Sequence, residues 1–347
     1  MSLPRAIARL GYVQADPMRA PARAQDLILG ERVEGYRAGD LERRYPRLAI
    51  EEAFFVNYGF VPRKTAALLH PRETPREWDA VMEARARDVL DFVRERGDVR
   101  ARDVQAHFDH GRIRRWGGDL KVSSHLLEGL HYRGLLRVAR REAGARIYQA
   151  LRIAQAPLDG AGSEARLARA GRLLDTVVRL YAPLPAASLG YLFGLLRRYG
   201  APQLTAELRQ IRDQAGSRYG HANVDGQLWF WPRGENPGSD RHQVGERVRF
   251  LSPFDPVVWD RRRFQLLWGG EYKFEAYLPA DQRRMGHYAM PMLWREHVVG
   301  WANLKVVDGR LRHSLGFVGP RPRGLAFRRA LDEALQRMRD FLGLRRS

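Results

Sequence analysis

A carboxylate and an amide stand two positions apart near the start of the chain, as Gln14 and Asp16. A carboxylate can take up a proton during a reaction, and an amide can both donate and accept hydrogen bonds. A predicted helix that carries Arg19 and Arg23 follows the pair. By itself, such a triplet is more typical of a helix cap at Asp16 beside a surface glutamine.

The segment LSPFDPVVWDRRR, residues 251–263, is the second candidate. Two prolines bracket Asp255, and Trp259 precedes the arginines at 261–263. Because proline fixes the backbone φ angle, this order predicts a rigid turn that leads into a basic helix start. Asp255 is expected to cap the turn and Trp259 to lie in the core. The arginines fit a solvated face and a phosphate clamp equally well.

Several metal and cofactor chemistries lack the residues that they need. The chain has no cysteine, which excludes thiolate zinc sites, iron–sulfur clusters and cysteine nucleophiles. The HExxH, Walker, GxGxxG and GxSxG motifs are absent as well. His107 and His110 lie at a predicted helix end, where a solvated or capping role is the better interpretation. We therefore expect no metal and no cofactor.

Arginine dominates the charge of this 347-residue chain. Lysine and arginine total 60 against 40 acidic residues, a formal net charge of +20, and only four of the basic residues are lysine. A GC-rich genome could explain the preference for arginine but not the net excess, which favours a polyanionic partner. No run of eighteen apolar residues and no signal peptide is present, so we predict neither a membrane span nor export.

Residues 77–155 form the clearest predicted unit, with three helices followed by a two-stranded wing. Ser123 or Ser124 can cap the third helix. This order is typical of a winged helix, whose last helix can enter a DNA major groove, although a winged helix can also serve only for protein packing. The helices are expected at 78–96, 102–108 and 126–133, and the strands at 135–139 and 147–151.

The rest of the chain divides into three further predicted segments. Residues 1–76 combine helices with a strand-like stretch around 54–56. After a polar linker at 157–165, residues 165–245 hold a second helical triplet with a strand, consistent with another winged helix. Residues 246–347 are rich in strands, including one at 271–278, and end in a helix at 325–342. The predicted fold is mainly α with small β-sheets, an α+β class, with a strand-rich C-terminal part.

The two candidate segments together resemble the bacterial winged-helix DNA glycosylases of the AlkZ/YcaQ type, which act on alkylated purines and interstrand crosslinks. The resemblance rests on LGYVQADPMRAPARAQDLIL from Leu10 and LSPFDPVVWDRRR from Leu251, in this order and at this separation. It continues more weakly through HLLEGLHYRGLL and the C-terminal strands, and so covers most of the chain. It implies tandem winged-helix units around a basic concave DNA-binding surface. Because the family carries a further helical segment before the motif, an incomplete first unit is expected at 1–76.

The resemblance also implies a catalytic Gln-apolar-Asp motif, which falls on Gln14, Ala15 and Asp16 and is closer to the YcaQ branch. An N7-alkylated guanine is positively charged and leaves without a strong general acid, and its departure creates an oxocarbenium-like sugar. Asp16 would stabilise this cation and activate water, and Gln14 would position the water or the sugar. Such a monofunctional reaction needs no lysine. A crosslinked base stays tethered to the other strand, so we infer an open cleft.

Further residues are expected to contact double-stranded DNA that carries alkylated bases or crosslinks. Val56 stands where related enzymes have a histidine, and the neighbouring Asn57 and Tyr58 are expected to line the lesion cleft or, alternatively, to form a packed hairpin. A loop at 277–288 is expected to reach into a DNA groove or to remain solvated at its tip. The residues expected to bind DNA are Arg19, Arg23, Arg63, Arg114, Arg115, Lys121, Arg261, Arg283 and Arg284.

The leading hypothesis is therefore a monofunctional DNA glycosylase that acts as a monomer in the cytoplasm, associated with the nucleoid. A non-catalytic winged-helix regulator or architectural factor makes the same electrostatic predictions. Replacement of Asp16 by asparagine separates the two, because only the glycosylase needs the carboxylate. A third, weaker interpretation is a self-resistance enzyme linked to a toxin or antibiotic, which only gene neighbourhood could show.

Overall fold

The computed structural model describes residues 1–72, 78–115, 118–151, 162–241 and 243–344. The chain forms two compact units, each assembled from separated stretches. The first unit comprises Met1–Leu41, Asp175–Tyr191 and Gln214–Ser347, and the second comprises Glu42–Leu174 and Leu192–Asp213. The expected division into four segments stays a prediction, and most of the linker expected at 157–165 lies outside the described residues.

Helices and small antiparallel sheets alternate along the described chain, as the sequence predicts. The α-helices are α1 (Leu3–Leu10), α2 (Ala24–Gly30), α3 (Asp40–Arg44), α4 (Arg63–Leu69), α5 (Ala80–Arg96), α6 (Ala101–Phe108), α7 (Val122–Arg133), α8 (Ser163–Tyr181), α9 (Ala186–Leu195), α10 (Thr205–Asp213), α11 (Ala215–Arg218), α12 (Pro256–Trp259), α13 (Arg261–Trp268) and α14 (Leu325–Leu342). The strands are β1 (Val13–Gln14), β2 (Ile50–Phe54), β3 (Tyr58–Pro62), β4 (Arg112–Arg115), β5 (Gly118–Lys121), β6 (Leu136–Glu142), β7 (Ala145–Ala150), β8 (Leu184–Pro185), β9 (Gly220–Val224), β10 (Gln227–Trp231), β11 (Val248–Phe250), β12 (Met290–Trp294), β13 (His297–Val307) and β14 (Arg310–Phe317). Within the described ranges, no helix is long and apolar enough to span a lipid bilayer.

A three-helix group with a β-hairpin lies in the second unit. Helix α7 contacts both α5 and α6, and the buried side chains of Val93, Val104 and Leu126 belong to these three helices. Strands β6 and β7 follow α7 as an antiparallel hairpin, and Val99 forms a β-bridge with Tyr148. The order of three helices and a wing is that of a winged helix, as the sequence predicts.

The start of α7 differs from the prediction. The helix begins at Val122, with Lys121 at its N-cap, so Ser123 and Ser124 lie inside the helix and cap nothing. The hydroxyl of Ser123 instead donates to Gln105 on α6, at 2.7 Å. The hairpin of β4 and β5 that precedes α7 leaves no signature in the sequence, because these polar strands lack the apolar alternation that marks a half-buried strand.

Strands β2 and β3 form an antiparallel hairpin in the second unit, with Phe54 opposite Tyr58. Phe55, Val56 and Asn57 make the turn, in which the amide of Phe55 donates to the carbonyl of Asn57 at 2.9 Å. The strand expected around 54–56 is therefore correct only at its first residue. The side chains of Phe55 and Val56 are buried at the turn, so the apolar run that suggested a strand here reflects burial.

An antiparallel sheet in the order β11-β12-β13-β14 forms the C-terminal part of the first unit. Its inward side chains, including Phe250 and Met292, share a core with Phe327 and Leu331 of α14. The predicted final helix at 325–342 has the observed bounds of α14, and Gly343 ends it with a positive φ of 70°. The expected strand-rich C-terminal part is confirmed.

The strand predicted at 271–278 is wrong. The chain between α13 and β12 is a loop and forms no β-strand. Its main chain forms hydrogen bonds within the loop and with side chains, rather than in a ladder with a neighbouring strand. The buried carboxylate of Glu275 accepts the amides of Met285 at 2.7 Å and Gly286 at 3.3 Å. Tyr272 and Phe274 suggest a strand by their alternation. Tyr272 instead belongs to a core cluster with Phe264, and Phe274 packs against the core of the C-terminal sheet.

Candidate active site

Gln14 lies on the short strand β1, directly after α1. Gly11 ends α1 with a φ of 73°, and a Cβ atom at this position would come within 2.7 Å of Thr176 Cγ2. A glycine is therefore required for the chain to turn into β1 here. The side chain of Gln14 is only 4% exposed, yet its Oε1 has no hydrogen-bond partner among the described residues. A buried acceptor without a partner costs about 1–3 kcal/mol, which makes this oxygen a candidate for contact with a ligand.

Asp16 is half-buried and is held by main-chain contacts. Its Oδ1 accepts the amide of Met18 at 2.9 Å, and its own amide donates to Oε1 of the buried Gln25 at 3.2 Å. Burial raises the pKa of Asp16, and the hydrogen bond from Met18 opposes this shift. The described residues give Asp16 no salt bridge. The carboxylate is thus fixed in position while its charge is not neutralised by an arginine.

The second candidate segment approaches Asp16 through Tyr288. The hydroxyl oxygens of Tyr288 and Ser252 are 3.2 Å apart, and both side chains are buried. Burial raises the pKa of Tyr288, the hydrogen bond with Ser252 lowers it, and the nearby charge of Asp16 raises it further. Ser252 also accepts the amide of Phe254 at 3.2 Å. The Ser252–Tyr288 pair, which sequence reasoning missed, therefore lies close enough to Asp16 for the charge of that carboxylate to act on the Tyr288 hydroxyl.

An ion pair links the buried Asp255 of the second candidate segment to Arg32, which lies shortly after the first. The guanidinium of Arg32 donates to Asp255 Oδ2 at 2.6 Å and to Oδ1 at 2.8 Å. Asp255 also accepts the amide of Val257 and caps α12, as the sequence predicts. Arg32 lies two positions after the end of α2, most of whose sequence belongs to the first segment. A single arginine at a helix end gives no signal of this role in the sequence.

The arginines at 261–263 divide between structure and surface. Arg263 is buried and donates to the carbonyls of Pro183 and Pro256, at 2.9 and 3.0 Å, and burial lowers its pKa to about 10. Arg261 donates to the carbonyl of Pro253 at 2.9 Å and lies 4.5 Å from the ring centroid of Tyr272. Arg262 is exposed. The DNA contact expected of Arg261 stays a prediction. Its guanidinium is already engaged in the hydrogen bond to the main chain of Pro253.

The remaining cations expected in the first unit lie at or near the surface. Arg19 and Arg284 are exposed, and Arg23 is half-exposed at the N-cap of α2. Arg283 is half-exposed, and its Nε donates to the carbonyl of Leu278 at 2.8 Å. These positions suit contact with a phosphate backbone, which requires accessible positive groups.

The other cations expected to bind DNA belong to the second unit. Arg63 is exposed and pairs with Glu51 at 3.0 Å. Arg114 is exposed on β4, and Lys121 is exposed at the start of α7. Arg115 opposes Gly118 in the β4–β5 hairpin, and its side chain is outside the described part.

The two residues expected at the lesion cleft have different environments. Asn57 is exposed at the β2–β3 turn and accepts the amide of Tyr58 at 2.8 Å. The hydroxyl of Tyr58 donates to the buried Glu52 at 2.6 Å, and Glu52 also accepts two hydrogen bonds from Arg141. Burial raises the pKa of Glu52, but the hydrogen bonds from Arg141 and Tyr58 lower it overall. This ionic cluster supports the packed-hairpin alternative for Tyr58.

A metal would find no ready site in the part of the chain that the structure covers, because no three His, Asp or Glu side chains cluster there. The chemistry that the described groups can supply is that of an ionised carboxylate and an unpaired amide oxygen.

Comparison with known proteins assigns the chain to a family. The family model of the AlkZ-like DNA glycosylases matches residues 7–341. A solved structure, the DNA glycosylase AlkZ of Streptomyces sahachiroi, matches with a TM-score of 0.59 and 15% sequence identity. The match covers 99% of this chain and 93% of that one, and at this identity it establishes a shared fold. The chain therefore belongs to the AlkZ-like family of DNA glycosylases.

Proposed function

We propose that this glycosylase hydrolyses the N-glycosidic bond of N7-alkylated or otherwise bulky alkylated purines, and that it unhooks interstrand crosslinks. The observation that carries the proposal is the pairing of a fixed, half-buried carboxylate at Asp16 with an unpaired, buried amide oxygen at Gln14. The Gln-apolar-Asp form of this motif favours the YcaQ branch of the family.

Asp16 acts on the sugar rather than on the base. The alkylated purine takes the electron pair of the breaking bond and loses its positive charge, so it leaves without a strong acid. The deoxyribose becomes oxocarbenium-like, and a negative carboxylate beside it lowers the energy of that state. Water then adds to the anomeric carbon and gives a proton to Asp16. A carboxylate without an arginine partner keeps its full charge for this task.

Gln14 positions the water or the sugar of the lesion. Its Oε1 can accept a hydrogen bond, and the described residues supply no donor to it. The cost of leaving this acceptor buried is recovered when the substrate or the attacking water arrives. Gln14 is thereby a second catalytic residue beside Asp16.

A half-exposed Asp16 suits a crosslinked substrate. A crosslinked base remains bonded to the opposite strand and cannot be withdrawn into a closed cavity as a flipped base is. An accessible carboxylate can meet its sugar while the base stays within the duplex. The net charge of +20 and the exposed Arg19, Arg114, Lys121 and Arg284 supply the attraction to phosphates. The enzyme acts as a monomer on the DNA of the nucleoid, in the cytoplasm.

Single-turnover base release tests the proposal. The substrates are duplexes that contain N7-methylguanine, a nitrogen-mustard crosslink or only undamaged guanine, and alkaline cleavage reports abasic sites. We expect release of both lesions and none from the undamaged duplex. Tight binding without release of either lesion would contradict the proposal and favour a non-catalytic DNA-binding role.

A further inference from the structure

Tyr277 is the most exposed large apolar side chain in the described part of the chain, at 82%. Isolated exposed apolar residues are common on protein surfaces and need no explanation by themselves. Tyr277 differs because it follows a buried stretch, Glu275 and Ala276, on the loop between α13 and β12. The environment of this loop decides whether the exposed ring is held in place.

The loop is closed by hydrogen bonds at its base. The buried carboxylate of Glu275 accepts the amides of Met285 and Gly286. The side-chain amide of Asn303 on β13 donates to the carbonyl of Met285 at 2.7 Å. On the outer side, Arg283 donates to the carbonyl of Leu278, the residue after Tyr277. Tyr277 is therefore presented to solvent on a braced loop.

Aromatic rings connect Tyr277 with the buried Tyr288. The ring centroids of Tyr277 and Phe274 are 6.0 Å apart, and those of Phe274 and Tyr288 are 5.6 Å apart. Phe254 lies 5.2 Å from Phe274, and the backbone segment that follows Asp16 contributes Met18 to the same core. The exposed ring is thus the outermost member of an aromatic group that shares a core with Met18, two residues after Asp16.

We propose that Tyr277 stacks on a DNA base next to the lesion and so holds the damaged nucleotide against Asp16. The proposal rests on the function proposed above. A tyrosine ring offers a π-face to any base, and base–aromatic stacking is largely independent of sequence. Between Tyr277 and Tyr288, Arg283 and Arg284 outweigh the one carboxylate, Asp281, which suits the phosphates that flank a base. The ring of Phe274 packs against that of Tyr277 in an edge-to-face arrangement.

Stacking matters most where the duplex resists opening. Access to a base or its sugar within a duplex costs unstacking energy, and this cost is smallest when the site is already unpaired. A residue that replaces a lost stacking neighbour therefore accelerates excision from a fully paired duplex more than from an unpaired site.

The test compares Tyr277→Ala, Tyr277→Trp and wild type on one lesion, placed either in a paired duplex or opposite an abasic site. We expect Tyr277→Ala to lower the single-turnover rate about 10- to 100-fold on the paired duplex and distinctly less on the other. The Tyr277→Trp variant should stay close to wild type. Tyr191→Ala is the matched control, since this tyrosine is 61% exposed in the same unit but stacks on Trp259 instead.

Equal losses on both substrates, or a Tyr277→Ala rate that equals wild type, would overturn the inference while leaving the glycosylase function intact. A binding measurement detects the opposite case, in which Tyr277 stacks on a base but the enzyme excises nothing. With 2-aminopurine beside the lesion, Asp16→Asn protein should change the emission, and the Asp16→Asn, Tyr277→Ala double variant should not. A Tyr277-dependent emission change without excision by wild type would support the stacking role and overturn the proposed function.

Discussion

Arg32 and Asp255 are separated by 223 positions in sequence, yet their side chains form a two-point ion pair with distances of 2.6 and 2.8 Å. The carboxylate of Asp255 is fully buried, whereas Arg32 is partly accessible. This pair fixes the second sequence segment against the helix that follows the Gln-Ala-Asp motif. Ser252, which lies within hydrogen-bond distance of Tyr288, precedes Asp255 by three residues in the segment that this pair holds.

Loss of this pair is expected to destabilise the fold. Arg32→Ala leaves the buried Asp255 carboxylate without its charged partner, which costs about 3–5 kcal/mol in comparable cases. Arg94→Ala is the matched control, because Arg94 forms an exposed pair with Asp91 that is worth at most about 1 kcal/mol. Urea unfolding of the three proteins measures the difference. Equal free energies of unfolding for Arg32→Ala and Arg94→Ala would show that the pair does not hold the segments together.

Gln14→Met separates folding from catalysis. Methionine fills a similar volume and removes the buried oxygen that has no partner, so the melting temperature should stay the same or rise. Excision should fall about tenfold or more, because a hydrogen bond to the reacting water or sugar is lost. Calorimetry and single-turnover rates give the two readouts. A variant that melts much earlier, or that excises at the wild-type rate, would argue for a structural role of Gln14.

The acid side of the pH profile should report Asp16. The reaction needs the ionised carboxylate, so kcat/KM should fall as the pH drops through its pKa. Because burial raises this pKa, the midpoint should lie above the value of about 3.9 that is usual for aspartate. Measurement requires subtraction of the spontaneous base loss that acid promotes. A rate that is level down to the usual aspartate pKa would contradict the assignment.

The same shift has a consequence for stability. A group whose pKa is higher in the folded than in the unfolded state binds protons more readily when folded, so its ionised form disfavours folding above that pKa. Asp16→Asn removes this charge and keeps an oxygen for the amide of Met18. At neutral pH the variant should therefore be as stable as wild type or more so, as thermal unfolding can show. A clear loss of stability would mean that the ionised carboxylate supports the fold.

Phosphate contact by the loop that carries Tyr277 should be visible in the salt dependence of binding. Arg284 is exposed, and loss of one phosphate contact lowers the slope of log K against log salt by about 0.9 for duplex DNA. Arg284→Ala is compared with Arg94→Ala in titrations at several salt concentrations. The same slope for Arg284→Ala and wild type would remove Arg284 from the DNA-binding surface.

Local signals predict much of the fold. The bounds of α14 follow from its apolar spacing and from Gly343, and a glycine, Gly11, also ends α1. The wing follows from alternation in β6 and β7. The hairpin of β4 and β5 has no such alternation. The loop around Glu275 resembles a strand in sequence because its aromatic residues face a local core. It forms no strand, because the carboxylate of Glu275 accepts a hydrogen bond from the loop backbone.

The candidate site was only partly accessible to sequence reasoning. Gln14 and Asp16 are identified by resemblance, since a Gln-x-Asp triplet by itself is uninformative. The partners that surround them come from distant positions, as with Arg32 and Asp255 or Ser252 and Tyr288. Such pairs depend on tertiary packing, which hydrophobic periodicity does not encode. The exposure of Tyr277 is likewise a property of the folded loop.

The most direct test of the account is single-turnover base release by wild type and Asp16→Asn, side by side, on N7-methylguanine and nitrogen-mustard crosslinks. Both proteins should bind the damaged duplex equally well. The account predicts that wild type releases both lesions and that the variant is slower by about 100-fold or more. Release by Asp16→Asn at the wild-type rate would contradict the assignment of the catalytic carboxylate.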